Sequence, residues 1–397
     1  MKFEITKPEN VREKILPVRK LSMSEGNHFF GYFDKYQEDV SGRYALAHET
    51  DFVGRQPTAK DKAVIGMIDM KDGNKFIKLA ETKAFCWQQG SMLQWLPGEK
   101  AKIIFNDRKD GKYISRIYDV VTGKERELCM PVYCLSADGS FAMGLNFSRL
   151  DKERPGYGYA GIPDPFENND HPDNDGIYFV DIRNNTSKLV ISLDEIVKIQ
   201  HLPSMENYKS WFNHMLISPD NKRFAFFHRW RQPNGWHLTR MFTANVDGSE
   251  IYPLNLDDMS SHYTWCGDDK IICFANRRAT GWGNYLFTDK TQKTEIIGEG
   301  LFNGDGHCSY SKDGKWMLTD TYPDTEKIRT LILLDIENGI RYNIGRFYSV
   351  EWFAPCRCDL HPRWSRDNKT VFIDSSHEGE RQIYAVDVSS LVWRNGK

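Results

Sequence analysis

Long apolar runs are missing from this chain. No stretch approaches the ~18 consecutive apolar residues of a membrane-spanning helix, and residues 1–7 lack the apolar core of a signal peptide. A soluble protein without a membrane partner is expected. Its compartment stays open: cytoplasmic as read, or periplasmic or secreted if a leader has been cleaved. An excess of one charge is missing too, since Lys and Arg number 53, Asp and Glu 55, and the net charge is −2. With no basic face or run, nucleic acid is not an expected partner. Cysteine is sparse. Eight residues, at 86, 129, 134, 266, 273, 308, 356 and 358, are too irregular for a disulfide framework in a chain of 397. Most read as buried thiols, with Cys356 and Cys358 set apart below.

What the chain has in plenty is aromatic surface, 13% of residues with 11 Trp, inside a hydrophobic content of 40%. That balance suits an all-β core and a carbohydrate-facing surface equally. Length alone allows one large or two ordinary domains.

A repeat decides between them. Residues 306–320 read as a short strand, a tight turn at Asp313-Gly314 and a returning strand. The same hairpin recurs around 40–44, 96–100, 136–140, 218–222, 266–270, 311–315 and 365–369. Several copies lead into a third strand ending in Asp, at Asp119, Asp181, Asp335 and Asp387. Short strands in such units predict an all-β fold, a seven-bladed β-propeller, as a single domain over 1–397. The last unit has three clear strands, so residues 14–20 are expected to supply its outer strand and close the ring. A monomer is expected.

One interval, from Gly139 to Asn221, is about twice the usual period. It holds a Gly-, Pro- and Asn-rich stretch after Arg149 and then a short helix capped by Ser192. We read 149–200 as an insertion on the site face, either a surface loop or a lid.

The histidines fall in register with the turn. His214, His262, His307 and His361 stand at a fixed offset before it, which predicts four imidazoles around one mouth of the central channel. Returning strands should bring His48, Asn106, Asp107, Arg108, Asn146, His228, Asn276, Asp320 and Asp374 to the same mouth. Two clusters stand out. His28 and His48, on partner strands of the first unit, are placed to face one pocket, and paired histidines suit proton transfer near neutral pH. Cys356-Arg357-Cys358-Asp359-Leu360-His361 with His307 offers thiolate and imidazole ligands for Zn²⁺ or a similar divalent metal such as Mn²⁺, catalytic or structural. Arg108, Arg229 and Arg231, with Arg149, Arg154, Tyr157 and Tyr159 of the insertion, would suit an acidic sugar. Guanidinium groups hold carboxylates, and flat rings stack on pyranoses.

At these residues the chain resembles the seven-bladed propeller polysaccharide lyases, nearest to ulvan lyases and more distantly to oligogalacturonate lyases. The resemblance lies in Asn27-His28-Phe29-Phe30-Gly31-Tyr32-Phe33-Asp34-Lys35 with His48, in Gly306-His307-Cys308-Ser309-Tyr310-Ser311, and in Asp359-Leu360-His361-Pro362-Arg363-Trp364-Ser365. It implies His28 and His48 as base and acid, and His307 and His361 as metal ligands, with Cys356 and Cys358 where oligogalacturonate lyases place histidines and a glutamine. A related propeller family that removes terminal rhamnose from glucuronic acid shares the same motifs, with a single histidine near the position of His48.

The leading expectation is therefore β-elimination on an acidic, uronate-containing oligo- or polysaccharide. Arg108 or Arg229 would neutralise the carboxylate; His28 and His48, with Tyr157, Tyr159 or His214 as further candidates, would move the protons. Two alternatives stand beside it. One is a glycoside hydrolase releasing rhamnose from rhamnosyl-α-1,4-glucuronate, using carboxylates such as Asp34, Asp107, Asp320 and Asp374. The other is a glycan-binding propeller without chemistry.

Overall fold

Hydrogen bonding inside the repeated turn is what makes the repeat legible. In the computed structural model of the protein, which describes residues 3–393 except Ser24, Asp258 and Phe353, Ser136, Ser218, Ser311 and Ser365 each donate their hydroxyl to Asp138, Asp220, Asp313 and Asp367 at 2.6–2.7 Å. Each carboxylate also accepts the backbone amide two residues on. The chain must then turn left-handed, at φ 63° for Asn221, 70° for Gly314 and 58° for Asn368, which Gly and Asn tolerate. Asn221 and Asn368 also accept the amides of Ala137 and Lys312 at 2.6 and 3.0 Å, tying each turn to that of the preceding unit.

The described strands form seven sheets, six of four strands and one of five. Blade 1 spans 27–82, blade 2 94–128, blade 3 134–192, blade 4 210–255, blade 5 260–297, blade 6 309–348 and blade 7 363–387. The fold is the all-β, seven-bladed propeller that the repeat predicts. Val18–Lys20 pairs antiparallel with Gln382–Asp387, Val18 opposite Val386, and closes the ring as expected. A second closure was not foreseen: Val11–Glu13 runs parallel to Ile340–Tyr348 and adds a fifth strand to blade 6. Apolar faces of neighbouring blades pack together, as where Leu318, Leu331 and Leu333 of blade 6 meet Trp364, Val371 and Ile373 of blade 7. Each such side chain contributes about 1.5–3 kcal/mol by leaving water. Among the described residues no helix is long and apolar enough to cross a membrane.

The span 149–200 is not one insertion. Gly176–Asp181 and Thr186–Ser192 are the two outer strands of blade 3, paired in turn with Phe141–Leu145. The inserted part is 146–175, between the second and third strands, and 193–209 links blade 3 to blade 4. The insertion opens with helix Phe147–Glu153, whose first turn is capped by the Asn146 side chain. Arg149, 2% exposed, ties the insertion down. It donates to the carbonyls of Ser210, Asn169 and Asp170 and pairs with Asp164 at 3.1 Å. The predicted helix after blade 3 is Leu193–Lys198, capped by Ser192.

Candidate active site

The connection between the first two strands of blade 1 runs into the central channel and forms the floor of a site. Tyr32 and Phe33, each 4% exposed, pack with Tyr133, Tyr157 and Phe212. Phe30 N–H donates to Asp374 at 3.1 Å, and Gln37 accepts from Arg363 at 2.9 Å, anchoring the connection on blade 7. The Asn27–Lys35 motif thus serves chiefly through its aromatic pair. The Tyr32 ring lies 4.8 Å from His361 and 5.0 Å from His214, and Phe33 lies 5.3 Å from His307.

Around that floor His214, His262, His307 and His361 form the expected arc. Successive ring centroids are 6.1, 4.0 and 4.4 Å apart. Local irregularity aims them. His214 and His361 hold φ of 47° and 41°, a region that non-glycine residues seldom occupy and that clusters at functional sites. The strand register breaks around His214 and again around His262, and such bulges redirect a side chain.

The nitrogens of the arc differ in what they meet. His307 points both its backbone N–H and Nδ1 at Asp320 Oδ1, each at 2.8 Å, leaving Nε2 buried without a hydrogen-bond partner. This approach needs Gly306, where a Cβ would lie 2.0 Å from the Asp320 carbonyl oxygen. Neither ring nitrogen of His361 has a hydrogen-bond partner. Donor atoms of His307, Asp359 and His361 lie within 4.8 Å of one another. Burial acts to raise the Asp359 pKa, but Arg357 at 2.7 Å and Arg329 at 2.8 Å hold the carboxyl well below its usual range. Two imidazoles with unfilled lone pairs and an ionised carboxylate fit a divalent transition metal. Asp320 fixes the His307 tautomer as an outer partner.

Cys356 and Cys358 do not belong to that set. Cys356 packs against Phe29, Phe85 and Trp87, and Cys358 is 2% exposed. Burial pushes both thiols up to about 11, and neither sulfur lies among the donor atoms gathered at His307, Asp359 and His361. Arg357 pairs with Asp359 at 2.7 Å, and His361 Nε2 lies 4.0 Å from the same carboxylate, while Cys356 and Leu360 enter two separate apolar clusters. Two imidazoles and a carboxylate are donors that both Zn²⁺ and Mn²⁺ take, so the donor set does not by itself choose between them. Asp359 is a candidate ligand that the sequence reading did not include.

His262 has a different surrounding. Its Nδ1 lies 3.0 Å from Asp305 Oδ1, and Ser261 donates to the other oxygen of Asp305 at 2.6 Å. Burial lowers its pKa from the ordinary histidine value although Asp305 acts to raise it, a shift that favours the neutral ring. With the Nδ1 proton turned to Asp305, Nε2 carries the lone pair, the state a general base needs. His214 Nε2 lies 3.2 Å from the Tyr32 hydroxyl.

Beside His262 opens a cleft of about 390 Å³, lined by Ser261, Asp305, Tyr322, Arg154, Arg229 and His237 among others. Arg229 is 3% exposed, and its Nε and Nη1 have no hydrogen-bond partner. Burial, and then Arg154, lower its pKa to about 10. Arg154 Nε is likewise unpartnered, and its guanidinium lies 5.1 Å from the Tyr157 ring. A desolvated guanidinium without a carboxylate costs stability, so its position on a cleft marks an anion site. Tyr157 accepts from Arg357 at 3.1 Å and stands edge-on to His214. The insertion therefore does contribute to the site, through Arg154 and Tyr157.

Four candidates lie elsewhere. His28 and His48 do not share a pocket, because His28 pairs with Glu49 at 3.3 Å while its neighbour on the strand, His48, stacks on Phe29 at 4.8 Å. Adjacent residues of a strand point to opposite faces. His48 is fully enclosed, with Nδ1 3.3 Å from the Phe29 carbonyl and Nε2 accepting from the Ser91 amide at 3.1 Å. Burial lowers its pKa to about 3. Arg108 donates to the carbonyls of Ala59 and Ala160 and borders another cleft, with Lys62 and Glu127. Tyr159 accepts from Asn106 at 3.0 Å and stacks on Phe147 at 4.3 Å, inside the core. Two further residues expected at the mouth are also internal ties: His228 faces Arg240 and Trp230, and Asp374 holds Arg363 at 2.8 Å.

No protein-family model matches the chain, and no curated protein matches its sequence. Solved structures do. An oligogalacturonate lyase in complex with manganese superposes with a TM-score of 0.69 at 16% identity, over 99% of this chain and 97% of its own. The oligogalacturonate lyase of Vibrio parahaemolyticus gives 0.65 at 14% identity, over 98% and 96%. The tricorn protease gives 0.51 at 11% identity, over 92% of this chain but 34% of its own. At such identities the likeness is one of fold: this chain is built, along its whole length, as the two lyases are.

Proposed function

We propose that the protein is a lyase that cleaves a uronate-containing oligo- or polysaccharide by β-elimination. One observation carries this reading: the buried, unpaired guanidinium of Arg229 lines the same cleft as Asp305, the carboxylate that orients His262. The likeness in fold to two oligogalacturonate lyases supports the reaction class.

In this reading Arg229, with Arg154, binds the uronate carboxylate and disperses the charge that builds when the C5 proton leaves. Nε2 of His262 takes that proton. The electron pair forms the C4–C5 double bond, the C4–oxygen bond breaks, and the leaving oxygen gains a proton from Tyr322 or from water. Burial favours the neutral His262 ring beforehand, and Asp305 stabilises the imidazolium afterwards. His307, Asp359 and His361 would hold a divalent metal. When bound it would add positive charge beside the developing enolate.

The test is incubation with ulvan, pectin fragments, glycosaminoglycans and rhamnosyl-glucuronate side chains. A new ultraviolet absorbance from a 4,5-unsaturated uronate is expected, and cleavage without it would rule elimination out. Hydrolysis draws no support from the carboxylates first considered for it. Asp34 pairs with Lys35, Asp107 with Arg116, Asp320 with His307 and Asp374 with Arg363.

A further inference from the structure

The cleft continues past the charged end. Beyond Arg229 its lining turns aromatic, with Trp236 from the blade 4 hairpin and Phe274 and Trp282 from blade 5. Phe274 and Trp282 stack at 5.6 Å and 26°. Phe3 continues the stack against Phe274 at 6.3 Å and 3°, so this wall is backed from behind. Trp236 is 74% exposed, although its backbone is held: its N–H donates to Asn234 at 3.0 Å and its carbonyl accepts from Gln232 at 2.7 Å. A tryptophan left this open on an ordered hairpin does nothing for the core, and its apolar face costs solubility. The two indoles border one cleft from neighbouring blades, and the polar groups that also line it include Asn303 and Asp324. Flat apolar faces flanked by a few hydrogen-bonding groups match a pyranose ring, which presents C–H groups on its faces and hydroxyls at its edge.

Resting on the reading of the cleft as a uronate site, we infer that Trp236 and Trp282 form a further sugar subsite. It would hold the sugar attached on the side of the uronate away from the bond that breaks, a position that a dimer spanning that bond leaves empty, so that the substrate is an oligosaccharide or chain longer than a dimer. The second ring is held by its apolar faces and hydroxyls rather than by charge, because the aromatic end has no arginine equivalent to Arg229. Arg341, which also borders the cleft, donates to the Leu301 carbonyl at 2.7 Å and to Asn343 at 2.9 Å.

The experiment measures kcat/KM for wild type, Trp236→Ala and Trp282→Ala on uronate oligosaccharides from dimer to pentamer. Intrinsic fluorescence titration with the same ladder runs alongside. For wild type, kcat/KM is expected to rise about tenfold or more from dimer to trimer. Trp236→Ala should lose most of that rise while keeping the dimer rate, and binding of the trimer should quench wild-type fluorescence more than the dimer does. An equal loss at every length, or no loss at any, overturns the subsite. If no oligomer is cleaved, the titration still decides. Tighter binding of trimer than dimer that disappears in Trp236→Ala upholds the subsite while the lyase reading fails, and length-independent binding rejects it. Trp236→Phe, which retains an aromatic face, should restore most of the length dependence.

Discussion

Blade 1 and the arc of blades 4 to 7 both bury histidines, and they put them to opposite uses. His48 is enclosed by groups that satisfy both its nitrogens, the Phe29 carbonyl on one side and the Ser91 amide on the other. Even the space around it is filled, since a Cβ on Gly90 would lie 2.4 Å from the ring. In the arc the rings are less completely engaged, and neither nitrogen of His361 has a hydrogen-bond partner. His307 is fixed through Nδ1 by Asp320, and His262 by Asp305, while Nε2 of His307 meets nothing. A buried polar atom without a partner loses solvation that folding does not return. The fold tolerates that loss where a ligand can offset it. The satisfied imidazole of His48 belongs to the packing of blade 1; the incompletely satisfied ones that face one another form the candidate site.

That contrast can be broken by experiment. The largest effect is expected from His262→Ala, which should lower kcat about a thousandfold, the scale of a general base, with a denaturation midpoint close to wild type. His28→Gln and His48→Gln should do the reverse, shifting the midpoint while sparing turnover of the folded enzyme. Arg229→Met should lower kcat/KM about a hundredfold or more through loss of the carboxylate clamp. It should also raise the denaturation midpoint of the free protein, because an unpaired buried charge is removed. Asp320→Asn should weaken metal binding about 10–100-fold, as for outer partners of ligating histidines. The double replacement Cys356→Ser with Cys358→Ser should leave metal content unchanged. Competition with a chelator and elemental analysis measure both.

The pH dependence of stability sharpens the comparison further. His48 binds a proton near 6.5 when unfolded but only near 3 when folded, so between those values the unfolded chain holds more protons. Stability should therefore fall as pH drops below about 6.5 and level off below about 3. His48→Gln should flatten this slope, by roughly a few kcal/mol across the window, in denaturant titrations at stepped pH. The smallest effect is Tyr159→Phe, about 1 kcal/mol of stability for the lost hydrogen bond from Asn106, with no change in activity.

Much of this was legible in the chain, and the reason is local. The Ser-x-Asp-Gly or Ser-x-Asp-Asn turn bonds to itself, so its copies announce themselves wherever they sit. His214, His262, His307 and His361 inherit their register from it, and the arc follows from that spacing alone. The failures came where the next residue along mattered. His28 and His48 belong to partner strands, yet pairing His28 with Glu49 sends His48 to the other face. Cys356 and Cys358 lie close in sequence to His361, but neither sulfur joins its donor set. Arg229 and Arg108 were equal candidates as sequence, and only their surroundings separate them: two backbone carbonyls for Arg108, and for Arg229 the Phe227 ring with no hydrogen-bond partner at Nε or Nη1.

The sequence by itself determined the propeller, the closure by the segment 14–20, of which Val18–Lys20 forms the pairing, and the four-histidine mouth, because each follows from a pattern repeated at short range. The floor at Tyr32 and Phe33, the exchange of Cys356 and Cys358 for Asp359, and the cleft between blades were decided by tertiary structure alone. Those features depend on which faces of distant strands are pressed together, and on which polar atoms that packing leaves without a partner. Neither quantity is carried by any single stretch of chain.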